Sequence, residues 1–278
     1  MSNLSLPFAA AVPILLPAYD ELDLILIGCG GTGGWLAVNL PRIAYVQKQA
    51  GKKVSVTFID PDRVEATNIP RQNFTPNDLE LPKASVLAAR YGWQWGLEIN
   101  AISAEFRADM AISRWKHLTI CIGAVDNPEA RAEIAKVLQN DRTVFWLDCG
   151  NHYESGQVLL GSVDSAERME GAFRVPTFCT ALPSPAIQHP DLLIDQKANH
   201  QILSCEEAAI ANMQSMSINH RIADEAFDML LRLLSGTLTR FATYVNCKHG
   251  TAWSKFNTIE ELAKTIGKSN QYLSQCKP

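Results

Sequence analysis

Apolar and polar positions follow one another in blocks that predict a regular alternation of strands and helices. Compact apolar runs, each of strand length, lie at 22–27, 54–59, 99–104, 118–123, 143–148 and 157–161. Between them, apolar residues recur with helical spacing at 35–46, at 83–91 and from Pro128 to about Gln139. Strands that alternate with helices are typical of βαβ units. The pattern therefore predicts an α/β fold with a mostly parallel sheet and helices on both faces.

The pattern changes after residue 170. Residues 171–204 contain four prolines, Pro176, Pro183, Pro185 and Pro190. Proline interrupts helices and strands, so we expect no long regular element there. Ser204-Cys205-Glu206-Glu207 has the form of a capping box and predicts a helix that runs toward Leu234. Residues 241–256 are predicted to form a hairpin that turns at 248–250. The last third of the chain thus adds a loop, a helix and a hairpin.

Composition and charge exclude several classes of protein. Hydrophobic residues make up 47% of the 278 positions and charged residues 19%, as in ordinary globular proteins rather than disordered ones. The formal net charge is −4 and no run of Lys or Arg occurs, so we do not expect nucleic acid as the main partner. The seven cysteines include no CxxC pair, so we expect free thiols and no structural zinc.

Residues 24–40 lack charge but do not have the properties of a membrane span. The stretch is short for a spanning helix, and it contains five glycines. The first basic residue is Arg42, so the positively charged start of a signal peptide is missing as well. We therefore expect a cytoplasmic protein without a membrane-spanning segment.

A glycine-rich turn lies between the first predicted strand and its helix. It contains Gly28, Gly30, Gly31 and Gly33. Glycines allow the backbone to turn tightly and to approach a phosphate group, which predicts a Rossmann-like nucleotide site. Asp60 ends the second predicted strand, where a carboxylate can accept hydrogen bonds from ribose hydroxyls. A nicotinamide-dependent dehydrogenase explains these features equally well, and a ligand-free turn with a turn-initiating Asp is the structural alternative.

The loop at 61–82 and the helix after it add polar side chains that a dehydrogenase does not need. Arg71 can bind phosphate oxygens through two nitrogens, and Lys83 supplies a point charge. Lys83 lies in the first turn of its predicted helix, where the helix dipole disfavours a cation unless an anion binds nearby. A solvated loop and a surface lysine are the alternatives. Asn68 and Gln72 lie in the same loop as Arg71.

Asp126 follows the predicted strand at 118–123. Pro128 at the first helical position makes Asn127 the N-cap, which leaves Asp126 free at the carboxyl edge of the sheet. Ligands bind at this edge in open α/β folds, and a carboxylate there can hold Mg²⁺ bridging ATP phosphates. A second capping group is the alternative role for Asp126.

Taken together, these residues resemble the nucleotide site of the ThiF family. That family includes the adenylyltransferases for sulfur-carrier proteins and the activating enzymes for ubiquitin-like proteins. The match spans about the first half of the chain; it comprises the GxGGxG turn, Asp60, Asn68-x-x-Arg71-Gln72, Lys83 and Asp126-Asn127. Length and motif spacing are especially similar to those of the ThiF-related proteins of bacterial plasmid-type cassettes that also carry a ParB-like protein.

The resemblance implies roles for the matching residues. Asp60 would bind the ribose of ATP, Asn68, Arg71 and Lys83 its phosphates, and Asp126 the magnesium ion. The resemblance also implies a homodimer. It further implies a single adenylation domain over 1–278, in which 1–165 bind the nucleotide, 166–205 form a crossover loop and 206–278 form the C-terminal helix and hairpin. Unlike many members, this chain has no arginine before Arg42 to reach a partner subunit's phosphates, and no paired CxxC zinc sites.

Cys179-Thr180 resembles the Cys-Thr of the crossover loop in activating enzymes that form a thioester. We expect such a loop to be exposed, and a thiolate is a good acyl acceptor. Cys205 is the competing candidate because a helix N-terminus lowers the pKa of a thiol, an effect that the two glutamates after it oppose. The alternative is that neither thiol reacts.

These expectations combine into one hypothesis. The C-terminal carboxylate of a small ubiquitin-like or sulfur-carrier-like protein would attack the α-phosphate of ATP and give an acyl-adenylate and pyrophosphate. Arg71, Lys83 and Mg²⁺ would stabilise the developing charge. The rival hypotheses are an NAD(P)-dependent oxidoreductase and a non-catalytic adaptor that binds a nucleotide.

Overall fold

The computed structural model describes residues 8–111, 116–139, 143–194 and 205–275, with the backbone alone over 205–215. The strands are β1 (Glu21–Ile27), β2 (Lys53–Ile59), β3 (Asn100–Ile102), β4 (His117–Gly123), β5 (Val144–Asn151), β6 (Ser155–Gly161), β7 (Arg240–Asn246) and β8 (Thr251–Phe256). All of them belong to one eight-stranded sheet in the order β3-β2-β1-β4-β5-β6-β7-β8.

The helices cover both faces of this sheet. They are α1 (Gly31–Leu36), α2 (Leu40–Gln49), α3 (Lys83–Trp95), α4 (Pro128–Val137), α5 (Pro185–Gln188), α6 (Cys205–Leu234), α7 (Ile259–Ile266) and α8 (Asn270–Ser274). The predicted helix that runs to Leu234 is α6, whereas Ser204 of the predicted capping box lies outside the described residues. Among these residues, no helix is both long and apolar enough to cross a lipid bilayer.

Strands β1 to β5 form the parallel half of the sheet. Alternate residues of β1 enter two different cores: Leu24 and Leu26 pack into the larger one, and Ile25 and Ile27 into the smaller one on the opposite face. A parallel strand buried on both faces has an apolar residue at nearly every position. This explains why unbroken apolar runs predicted these strands, and it confirms the predicted α/β fold.

Strands β6, β7 and β8 continue the sheet in antiparallel order. The predicted C-terminal hairpin is β7 and β8, and it extends the central sheet. Helix α6 packs across this half: a Cβ at Gly156 of β6 would lie only 2.7 Å from Cγ1 of Ile222 in α6. The glycine at 156 therefore lets the helix approach the sheet closely.

The single helix predicted at 35–46 is wrong, because the structure has two helices there. Helix α1 ends at Leu36, and α2 starts at Leu40 with Pro41 in its first turn and Asn39 as its N-cap residue. Proline has no backbone N–H and is accepted in the first turn of a helix, where no donor is needed. The break therefore follows from Pro41. Strand β3 is also shorter than the predicted strand at 99–104.

The segment before β1 is held by hydrogen bonds to distant parts of the chain. Val12 N donates to Asn257 O (3.1 Å) and Ile14 N to Leu238 O (3.1 Å). Leu15 N donates to Cys179 O (2.7 Å), and Cys179 N donates to Pro13 O (3.0 Å). The proline-interrupted segment, the C-terminal part and the start of the chain thus meet beside the larger core, which includes Ile14.

Candidate nucleotide site

The candidate site lies where the carboxyl ends of β1, β2 and β4 meet. Gly28 N donates to Ile59 O (2.9 Å), and Ala124 N donates to Ile27 O (2.8 Å). Strand order reverses between β1 and β4, and ligands of open α/β sheets bind outside the carboxyl ends of the strands at such a point. The glycine turn follows β1 here and Asp126 follows β4, so the fold brings together two of the predicted features.

The glycines of the turn differ in whether the surrounding structure leaves room for a side chain. Gly28 has a φ of +88°, and a Cβ there would lie 2.5 Å from Ala124 O. A Cβ at Gly33 would lie 1.9 Å from Gly28 O, so a side chain at position 33 would displace the backbone. At Gly30 the nearest atom to a Cβ is Gln72 Nε2, at 3.7 Å. Packing therefore explains Gly28 and Gly33, whereas a Cβ at Gly30 would make only ordinary van der Waals contact with Gln72.

Asp60 links the end of β2 to the glycine turn. Its side chain is buried, and it accepts hydrogen bonds from Cys29 N (2.5 Å) and Asp62 N (2.8 Å), one on each carboxylate oxygen. Burial raises the pKa of Asp60, and the two amide donors oppose this rise. Each oxygen keeps acceptor capacity after one hydrogen bond. The carboxylate thus both fixes the turn and can accept a further donor.

Lys83 is a buried cation at this edge of the sheet. It is the first residue of α3, it is 6% exposed, and its Nζ lies 2.8 Å from Asp62 Oδ2. The alternative of a solvated surface lysine is therefore wrong. Sequence reasoning missed Asp62, although its position two residues after Asp60 was a signal. Asp62 is therefore the anionic partner that offsets the unfavourable effect of the helix dipole on Lys83.

The loop between β2 and α3 holds the remaining predicted residues. Asn68 is buried, and its Oδ1 accepts from Glu65 N (3.0 Å), which closes a short turn before Arg71. Gln72 is also buried, and its Oε1 has no hydrogen-bond partner among the described residues. The Arg71 guanidinium is half-buried and makes no hydrogen bond or ion pair with them. The site therefore contains an unused acceptor and an unneutralised cation.

Asp126 is exposed between β4 and α4 and has no hydrogen-bond partner among the described residues. Asn127 caps α4, because its Oδ1 accepts from Ala130 N (2.8 Å) and Pro128 follows it. The alternative of Asp126 as a second cap is therefore not seen. Its carboxylate remains available at the carboxyl edge of the sheet.

Asn219 of α6 contacts the site and was missed from the sequence. Its Oδ1 accepts from Asn151 Nδ2 (2.6 Å) and Thr32 Oγ1 (3.2 Å), and its Nδ2 donates to Arg71 O (3.3 Å). These partners come from β5, α1 and the loop at 61–82. They are far from Asn219 in sequence, so no sequence motif could have linked them to it. Helix α6 contains many other polar and charged residues, so its composition did not single out Asn219.

A buried ion pair joins β5 to α4, the helix that follows Asp126. Arg131 of α4 donates from Nε to Asp148 Oδ1 of β5 (3.1 Å), and the Asp148 side chain is fully buried. Asp148 Oδ2 and Trp146 Nε1 have no hydrogen-bond partner in the described part of the chain. Burial raises the pKa of Asp148, and Arg131 opposes the rise. The pair fixes α4 on β5, and α4 begins two residues after Asp126.

The expected exposure of Cys179 is wrong. Its side chain is fully buried, its Sγ lies 3.0 Å from Ala181 O, and burial raises the pKa of the thiol to about 12. The physical reason is the backbone pairing with Pro13 and Leu15, which draws this irregular segment into the larger core. Cys205 is the first residue of α6, but its side chain lies outside those described.

We expect Cys179 to resist alkylation in the folded protein. Iodoacetamide reacts with the thiolate, and a buried thiol with a raised pKa is rarely ionised or accessible. Peptide mass mapping at pH 7.5 should show Cys247, which is half-buried, modified well before Cys179. Buried Cys121 serves as the internal control. Equal labelling of Cys179 and Cys247 without denaturant would contradict this burial.

Comparison with known proteins supports the fold. The chain is similar to E. coli MccB in complex with AMPCPP and MccA (14% identity, TM-score 0.56, covering 84% of this chain and 63% of that chain). It is similar to E. coli MccB with ATP (14%, 0.57, 88% and 67%) and to PaaA (14%, 0.52, 84% and 63%). The chain thus spans under two thirds of the length of the first of these relatives, and at this identity the likeness shows the fold alone.

The sequence comparison is more specific than the structural one. A search of curated proteins finds no match. The family model described as ThiF family matches residues 18–261, which include the glycine turn, the loop at 61–82, Asp126 and most of the sheet. The chain belongs to the ThiF family.

Proposed function

We propose that this protein adenylates the C-terminal carboxylate of a small peptide or protein with ATP. The observation that carries the proposal is that a cation, Arg71, and a carboxylate, Asp126, both belong to segments beside the glycine turn and both lack partners among the described residues. A bound polyphosphate with its metal ion would use both groups, whereas a nicotinamide cofactor gives them no shared role. Membership of the ThiF family and the ATP bound to E. coli MccB support the same direction.

The contacts suit ATP as the substrate. Asp60 has acceptor capacity for the ribose hydroxyls, and Gly30 has no side chain that would keep a phosphate from its backbone. We assign Arg71 and Lys83, with Asn68 and Gln72 beside them, to the phosphates. Lys83 is held by Asp62, and groups that the fold already holds in place stabilise charge with little reorganisation.

Mg²⁺ fits the donor that Asp126 offers. Magnesium prefers one or two carboxylate oxygens together with substrate phosphates and water. Asp126 is exposed at the carboxyl edge of the sheet, and its carboxylate has no partner among the described residues. The ion would neutralise part of the phosphate charge. Among the described residues no group of three His, Cys, Asp or Glu side chains could hold a metal on its own.

The proposed step needs no proton transfer. A carboxylate oxygen of the partner forms a bond to the α-phosphorus of ATP, and the bond from that phosphorus to the bridging oxygen breaks, releasing pyrophosphate. Negative charge moves onto the pyrophosphate oxygens, where Arg71 and Lys83 would act. The partner's carboxylate is already ionised at pH 7, so a general base is unnecessary.

The proposed reaction ends at the acyl-adenylate. A thioester on Cys179 is not part of the proposal, because that thiol is buried and rarely ionised. For the partner we propose a small ubiquitin-like or sulfur-carrier-like protein, or a peptide with a free C-terminus.

Pyrophosphate exchange tests the proposal. The purified protein should bind ATP with Mg²⁺ in preference to NADH, and a partner with a free C-terminus should stimulate exchange of labelled pyrophosphate into ATP. Proteins encoded beside this gene are the first partners to try. Binding of NADH without ATP would support an oxidoreductase. ATP binding without exchange, with every partner tried, would support a non-catalytic adaptor.

We also propose that the protein is a homodimer, as the resemblance implies for single-domain members of the family. The described residues form one eight-stranded sheet, so a second unit of this kind would come from a second copy. Light scattering at micromolar concentration should give twice the chain mass of 30.7 kDa. A purely monomeric mass would contradict the dimer and leave the proposed reaction intact.

A further inference from the structure

Asn219 fills the space that a side chain at position 31 would need. A Cβ on Gly31 would lie 2.5 Å from Asn219 Nδ2 and 2.8 Å from its Oδ1. Gly31 of the turn therefore makes room for a side chain of α6 rather than for a ligand. With the hydrogen bonds to Thr32, Asn151 and Arg71, this contact surrounds the Asn219 amide with parts of the candidate site.

The position of Arg71 depends on its backbone. Its guanidinium has no partner among the described residues, so side-chain contacts do not fix it. Two hydrogen bonds hold its peptide groups instead: Arg71 N donates to Asn68 O (3.1 Å), and Arg71 O accepts from Asn219 Nδ2 (3.3 Å). The first bond is local to the loop, whereas the second ties the loop to α6 and, through the same amide, to the glycine turn.

We propose that Asn219 is a positioning residue for the phosphate-binding groups. From α6 it fixes the glycine turn and Arg71 relative to each other, and it acts on the reaction through Arg71. The proposal rests on the function proposed above, since the position of Arg71 affects turnover only if Arg71 contacts the reacting phosphates. The proposal assigns a role in the site to α6, a helix that the sequence motifs of the site do not include.

Asn219→Asp is the sharpest variant. Aspartate has nearly the same shape, so it keeps the packing against Gly31 and the acceptor for Thr32 and Asn151. It replaces the donor to Arg71 O by an oxygen, which repels that carbonyl. We expect kcat for pyrophosphate exchange to fall about tenfold with less than a threefold change in KM for ATP, the pattern of an interaction needed mainly in the transition state.

Asn257→Asp is the matched control. Asn257 is also fully buried, and its Nδ2 also donates to a backbone carbonyl, that of Leu238 (3.0 Å). Its surroundings include Val12 and exclude the candidate site. The same chemical change should therefore lower thermal stability there and leave kcat unchanged. A comparable loss of kcat in both variants would mean that general destabilisation causes the effect, which overturns the proposal.

A double-mutant cycle separates positioning from independent damage. If Asn219 acts through Arg71, Asn219→Asp should cost less than about twofold in an Arg71→Ala background, because the coupled loss has already occurred. An undiminished tenfold loss in that background would overturn the proposal. Amide hydrogen exchange gives a second readout without activity: protection at residues 71 and 72 should fall in Asn219→Asp and persist in Asn257→Asp. Unchanged protection in Asn219→Asp would also overturn the positioning role of Asn219. Absence of pyrophosphate exchange in the wild type would refute the proposed function alone.

Discussion

Replacing Asp126 or Arg71 with alanine is expected to lower pyrophosphate exchange by about 10²-fold or more, the scale for a lost electrostatic contact at a reacting centre. The Arg71 guanidinium has no other role in the described structure, and the Asp126 carboxylate is likewise unpartnered. Neither change removes a side-chain hydrogen bond or ion pair seen among the described residues, so both variants should nearly keep the thermal stability of the wild type. Exchange assays at saturating ATP and Mg²⁺ measure the effect.

An exposed pair elsewhere provides the control for these two variants. Arg107 and Asp109 form an ion pair with both side chains about 70% exposed. Their alanine variants remove the same two types of charge from the protein and should retain full exchange activity. Full activity in Asp126→Ala and Arg71→Ala as well would refute the proposed site.

The second large effect concerns the buried pair of Arg131 and Asp148. Arg131→Met is expected to lower the free energy of unfolding by about 3–5 kcal/mol, because it leaves a buried carboxylate without its counter-charge. The double variant Arg131→Met/Asp148→Leu should recover most of this loss, since two apolar side chains often replace a buried ion pair at little cost. Urea denaturation of the single and double variants measures both values.

The effect of Arg131→Met should depend on pH with a defined sign. Burial raises the pKa of Asp148 in the folded state, and Arg131 is the largest opposing influence, so its removal raises this pKa further. A carboxyl group with a raised folded-state pKa costs stability as the pH rises from its ordinary value of about 4 through the folded-state pKa. The deficit of Arg131→Met should thus be smaller at pH 5 than at pH 8. An equal deficit at both values would contradict this origin. Arg107→Met, at an exposed ion pair, should leave the free energy of unfolding almost unchanged at both pH values.

Most of the central sheet could be predicted because its strands are buried on both faces. Residues 22–27 and 118–123 were predicted within one residue of β1 and β4 at each end. Elements whose ends depend on tertiary contacts were less predictable: β5 continues past the predicted end at 148 to Asn151, where it pairs with β6. Local sequence contains no information about that pairing.

The same distinction applies to the candidate site. Gly28, Asp60 and Asp126 lie just after strand ends, so the order of elements alone places them at one edge of the sheet, and Lys83 reaches the same edge as the first residue of α3. Asn219 comes from a helix far along the chain. Cys179 illustrates the opposite error, since prolines around it correctly predicted irregular backbone but not that distant backbone groups would bury it.

The hydrogen bonds of Val12 and Ile14 have a consequence for the order in which the protein forms during synthesis. Their partners, Asn257 and Leu238, are translated near the opposite end of the chain. The parallel half can assemble from neighbours in sequence during synthesis, and Pro13 and Leu15 can pair with Cys179, but the hydrogen bonds of Val12 and Ile14 must wait until Leu238 and Asn257 have emerged from the ribosome. Contacts of such long sequence separation are slow to form. Emergence of residues 238–257 from the ribosome, rather than assembly of the glycine turn, is therefore the event after which the larger core can close over Ile14.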